Sequence, residues 1–150
     1  MNRLAALGLK GLIPRDQDTR RWPLPEQVKR GDIGLDLYVS DQVVVPPFEW
    51  RGIPSRVRVA APAGIWFMII GRSSALHRRG LMVIPSVIDS GFRGQLFAMS
   101  FNITDNPVCV EPGERLAQLI PMYHIPFRFE ETDVLPGSER GESGFGSTGT

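Results

Sequence analysis

The sequence predicts an all-β domain of the sandwich or barrel kind. Two observations carry this reading. Short apolar segments rich in Val, Ile, Leu and aromatic residues recur between Gly, Pro, Asn and Asp along all 150 residues. No stretch of about twelve or more residues keeps apolar side chains at helical spacing.

Taken in order, the N-terminal MNRLAALGLKGLIPRD reads as a first strand and its approach. Lys10 interrupts its apolar stretch, and no small-residue cleavage site follows, so it is not read as a signal peptide. Strands are expected over 34–39 (GLDLYV), 42–45 (QVVV), 56–60 (RVRVA) and 65–70 (IWFMII). The segment 73–79 (SSALHRR) suits a short helix, with Ser73 or Ser74 placed to cap its start and Gly80 its end. Further strands follow at 81–84 (LMVI), 95–102 (QLFAMSFN), 108–110 (VCV) and 116–124 (LAQLIPMYH). Trp50 and Trp66 are expected in or near the core, and Cys109 as a small buried hydrophobe. At Pro136 the composition changes: GSERGESGFGSTGT cannot build a core, so the chain divides into a domain, 1–136, and a flexible arm, 137–150.

Composition narrows the function. Seventeen basic and 16 acidic residues, mixed along the chain, leave a net charge of +1 and no footprint for a long polyanion, so direct nucleic-acid binding is not expected. The run 65–70 stops at Gly71 and Arg72, far short of the roughly 20 residues of a bilayer span, and no membrane association is expected. The lone Cys109 excludes an internal disulfide and a cysteine-based zinc site, which fits an intracellular, cytoplasmic location. His77 and His124 are too few and too far apart for a metal site.

Four segments carry candidate chemistry. GRSS, 71–74, follows an apolar strand and gathers hydroxyls and backbone N–H groups suited to phosphate oxygens; the alternative is an ordinary helix cap. In VIDSGFRG, 87–94, Asp89 beside an aromatic and an arginine is a candidate general base; the alternative is a hairpin turn with Phe92 in the core. In PGERLAQLI, 112–120, Gln118 among apolar neighbours needs a partner for its amide, and Arg115 reads as a structural ion-pair partner. In the arm, Arg140 and the run Gly146, Ser147, Thr148 suit a polyphosphate, while Phe145 presents a flat face to a base.

With GDIGLDLY at 31–38, these segments occur in one order, and the set resembles the five ordered motifs of the trimeric dUTPases, the deoxyuridine triphosphate nucleotidohydrolases. The resemblance runs from about Gly31 to the C-terminus. It implies a jelly-roll-like (β-clip) subunit with a flexible C-terminal arm, assembled as a homotrimer whose active sites are shared between subunits. It implies hydrolysis of dUTP to dUMP and pyrophosphate with Mg²⁺, keeping uracil out of DNA and supplying dUMP for dTMP synthesis. By motif position, Asp89 matches the carboxylate that activates water for in-line attack at the α-phosphorus, and Asp36 the residue that holds the metal through water. Arg72, Ser73, Ser74 and Gln118 match phosphate ligands. Val83, Ser86 and Ile88 lie in the hairpin that reads uracil, and Phe92 matches the ring packed on deoxyribose. Arg140 matches a γ-phosphate ligand, Phe145 the ring stacked on uracil, and Gly146, Ser147 and Thr148 the phosphate-wrapping run.

The match has departures. Phe92 replaces a usual Tyr, Gly91 a common Asp, and Ile84-Pro85-Ser86 stands where small residues are common, with Pro85 lacking an N–H. The related dCTP deaminases share the fold but use a glutamate on the following strand, where this chain has Met99. A protein derived from a dUTPase that works by binding a partner is the other alternative, suggested by the altered hairpin and the unmatched residues 1–30.

Overall fold

The computed structural model describes residues 12–13, 21, 23–139 and 141. Among these residues there are nine strands and one short helix, in the order β1 (Leu35–Tyr38), β2 (Val43–Val45), β3 (Trp50–Pro54), β4 (Ile65–Gly71), α1 (Ser73–Arg79), β5 (Leu81–Val83), β6 (Ser86–Ile88), β7 (Phe97–Asn102), β8 (Val108–Val110) and β9 (Arg115–Tyr123). The strands form three antiparallel sheets, ordered β1-β9-β4-β6, β3-β7-β5 and β2-β8. The all-β class is as the sequence predicts. Among the described residues no helix is long and apolar enough to cross a membrane.

Strand alternation builds the core. β4 buries Ile65, Phe67 and Ile69 and turns Trp66, Met68 and Ile70 to the other face. On the neighbouring strands Leu37 and Leu119 face the same interior, which Ile53, Leu81, Leu96 and Val110 close from the other sheets. The long pairing of β4 with β9, from Ile65 opposite Tyr123 to Gly71 opposite Ala117, makes this the backbone of the molecule.

Several expectations change. Residues 56–60 are not a strand: Arg56 has φ of 51°, which breaks extended pairing, and Ala60 makes only an isolated bridge to Leu12. Val57 and Val59 are nevertheless both buried, which is why the segment alternates like a strand. The missed strand β3 contains Gly52 and Pro54, which read as turn signals, and pairs with β7. β6 was also missed, because Pro85 sits just ahead of it. Trp50 is exposed on β3. Cys109 is exposed because Val110, one residue on, takes the inward position. Neither serine caps α1: its N-cap is Arg72, with no side-chain cap bond. Gly80 does end the helix, in the left-handed conformation (φ 65°), its N–H donating to Leu76 O at 3.0 Å.

Candidate active site

One polar cleft of ≈ 450 Å³ opens on the face of the large sheet opposite its core side. Register explains its lining. Asp36 on β1 is opposite Gln118 on β9, and Gln118 is opposite Ile70 on β4. Gly34 and Asp36 thus share a face with Gln118 and Ile120, while Leu35 and Leu37 turn inward. The chain leaves β4 through Gly71, and Arg72 N–H donates to Leu116 O at 2.8 Å, which brings Arg72 and Ser73 to the rim.

Asp36 is the buried charge of this cleft, with its side chain only 4% exposed. One carboxylate oxygen accepts from Arg72 and the other from Arg115 at 3.1 Å. Two guanidiniums on one carboxylate leave a net positive triad, and Arg72, 31% exposed, remains within reach of a solute. A buried carboxylate paired on both oxygens is compensated rather than stranded. Arg115 is the structural ion-pair partner the sequence suggested. Gly34, Asp32 and Ile120 also line the cleft and were missed; the two-residue period of β1 and β9 is the signal that could have found Gly34 and Ile120.

A second group lies around the β5–β6 hairpin. Val83 is buried against Gly71, where an added Cβ would stand 3.0 Å from Val83 Cβ. Ile84 N–H donates to Met99 O at 2.7 Å, and Ser86 Oγ to Ile84 O at 3.2 Å. Ile88 is half-buried opposite Phe67, and Asp89 follows it, exposed, at the end of β6. The turn beyond is tied by Phe92 N–H to Asp89 O at 3.0 Å and by Arg93, whose guanidinium donates to Ser90 O and Phe92 O at 2.7 Å. Asp89 therefore closes this turn through its main chain, leaving its carboxylate in solvent. Phe92 is not in the core; its exposed ring lies over Gly94, where an added Cβ would stand 2.5 Å from Phe92 Cζ.

The structure brings Asp36, Arg72, Ser73 and Gln118 together, with Ser74 half-buried in the first turn of α1. It does not bring Asp89 or Phe92 to them. β1 and β6 are opposite edges of the four-stranded sheet, and Asp89 is about four residues along the register from the Asp36–Gln118–Ile70 line. Three strand spacings and that offset put Asp36 and Asp89 roughly 20 Å apart. Arg140, Phe145, Gly146, Ser147 and Thr148 lie outside the described residues. A larger cavity of ≈ 610 Å³ between Leu12, Leu24 and strands β4 and β9 is lined mainly by apolar side chains. Among the described residues no cluster of three or more His, Cys, Asp or Glu could hold a metal by itself.

The dUTPase family model matches residues 20–149. The chain belongs to the dUTPase family. A relative from Dictyoglomus turgidum, named deoxyuridine 5'-triphosphate nucleotidohydrolase, is 38% identical over 133 residues, covering 85% of this chain and 90% of its own. One of the same name from Psychromonas ingrahamii is 34% identical over 146 residues, covering 94% and 95%. Among solved structures, the Staphylococcus bacteriophage 80alpha dUTPase with dUPNHPP superposes with a TM-score of 0.84 at 25% identity, over 94% of this chain and 99% of that one. The sequence resemblance is thus correct at the level of family and fold. In this dUTPase-family chain the motifs at 31–38, 71–74 and 112–120 converge on one cleft, and that at 87–94 stands apart.

Proposed function

We propose that this chain hydrolyses dUTP to dUMP and pyrophosphate, in a site completed by other copies of itself. The observation that carries the reading is the polar cleft in which Asp36 holds Arg72 and Gln118 stands beside it, within a chain of the dUTPase family. Arg72, Ser73, Ser74 and Gln118 are the phosphate ligands: one guanidinium, two hydroxyls and an amide supply directed donors to oxygens that gain charge as the leaving group departs.

Asp89 is the general base. The estimated 20 Å from Asp36 prevents it from serving the cleft of its own chain, so it serves a neighbour's, as expected for a homotrimer with shared sites. Its solvent-facing position suits this, because a carboxylate that meets substrate only in the assembly stands open on the single chain. Phe92, on its glycine seat, packs against deoxyribose, and Val83, Ser86 and Ile88 frame uracil. The ring of Phe92 leaves no room for a 2′-hydroxyl. Arg140, Phe145 and the run 146–148 close over the triphosphate and exclude bulk water.

The donor set fits a magnesium ion that arrives on the substrate. Such an ion takes one or two carboxylates with phosphate oxygens and waters; of the two carboxylates lining the cleft, Asp32 and Asp36, Asp36 would hold it through a water, with lone pairs left beside its arginine bonds. A Mg²⁺ held there would supply neutralisation of charge on the triphosphate. A deaminase of the same superfamily is the weaker reading, because Met99, which stands on β7 where those enzymes have their glutamate, can move no proton.

The test is pyrophosphate release from dUTP, dCTP, dTTP and UTP, each with Mg²⁺ and with chelator. Release from dUTP alone, lost on chelation, is expected. Release from none of the four contradicts the reading, and conversion of dCTP to dUTP turns it to the deaminase.

A further inference from the structure

Gly34 stands just before β1, on the same face as Gln118 and diagonal to it across the β1–β9 pairing. Its backbone is not left-handed, so conformation does not require glycine there. Space does. A Cβ added at Gly34 would lie 2.7 Å from Gln118 Cδ and 3.1 Å from Gln118 Cβ, with Oε1 closer still. Gln118 lies in the gap that the missing side chain leaves.

We propose that Gly34 is a positioning residue for the Gln118 amide, the slot that fixes its direction in the cleft. The atoms in collision are chiefly the far end of a flexible side chain, so the fold accommodates alanine at 34 by rotating Gln118, and the cost falls on where the amide points. Gly71 is the contrast. A side chain there meets buried Val83 and disturbs packing instead. The proposal rests on the reading of Gln118 as a phosphate ligand, and it adds to that reading the residue that aims it.

The experiment is a double-mutant cycle in KM and kcat for dUTP with the full-length chain: wild type, Gly34→Ala, Gln118→Ala and both together. Gly34→Ala is expected to raise KM about tenfold, the worth of one directed hydrogen bond. Added to Gln118→Ala, the same substitution is expected to change KM less than about twofold, because no amide remains to displace. An equal loss in both backgrounds is what a purely structural glycine gives, and it overturns the proposal. If Gly34→Ala does not fold, the double variant is expected to, since it loses the two closest contacts and keeps only that with the Cβ of residue 118 at 3.1 Å; a double variant that also fails overturns the proposal. A readout without nucleotide separates this from the activity itself. The Gln118 side-chain amide resonances, assigned by their loss in Gln118→Ala, are expected to shift in Gly34→Ala, and unchanged resonances contradict the slot. A wild type that leaves dUTP intact overturns the proposed activity, whereas the resonances still decide the slot.

Discussion

Asp36 ties three segments of the fold together at the cleft where hydrolysis is proposed. Its carboxylate ties β1 to the residue that follows β4 and to the first residue of β9, and removing its charge leaves two arginines facing each other. Asp36→Asn is expected to lower stability by about 1–3 kcal/mol, less than for a fully buried pair because both arginines are part-exposed. A urea unfolding midpoint checks this. Asp89 is the opposite case. Exposed and bonded through its main chain only, it contributes little to the fold, so Asp89→Asn is expected to leave the unfolding midpoint unchanged and to lower kcat about 10²–10⁴-fold with little change in KM. A third carboxylate behaves differently again. The guanidinium of Arg56, the residue whose φ is 51°, and then the Ser40 hydroxyl hold the Asp41 carboxyl below its ordinary 3.8. A depressed folded-state value stabilises at pH above 3.8, and the contribution fades as pH falls through the lowered value. The stability difference between wild type and Asp41→Asn, measured by urea at about pH 7 and about pH 3, is therefore expected to shrink at the lower pH.

At the scale of elements, legibility in the sequence followed the signal each element carries. β4, β8 and β9 announce themselves by apolar alternation between clear turn residues, and their bounds fall within a residue of those expected. β3 is legible only through its partner: WRGIP becomes a strand because β7 supplies the pairing, a long-range fact that local composition does not contain. The segment 56–60 shows the reverse, since burial alternates while the backbone turns aside at Arg56. The helix was legible from its end, as Gly80 alone adopts the left-handed cap comfortably. Gly80→Ala meets both that strain and the Thr104 methyl, and a loss of about 1–2 kcal/mol by thermal unfolding is expected.

For the whole molecule, motif order in the sequence identified the family, but one strand's spacing says nothing of which motifs meet. Register does: it gathers Asp36, Arg72 and Gln118 and sends Asp89 to the far edge of the same sheet. Beyond β9 the chain carries Ile125, Phe127, Phe129, Val134 and Leu135, all more than three-quarters exposed, an amount of bare apolar surface that suits a chain covered in an assembly. Sedimentation at micromolar concentration is expected to give a trimer, and removal of 137–150 to keep that trimer while abolishing most turnover.

Whether each site is made of parts from different copies is tested by mixing two damaged chains. Arg72→Ala removes the proposed phosphate ligand and Asp89→Asn the proposed base, and each variant alone is expected to be nearly inactive. Refolded together in equal amounts, they are expected to recover about a quarter of wild-type turnover, the share of sites that draw both intact parts from different chains. A mixture no more active than its components would place both parts in one chain and contradict a shared site.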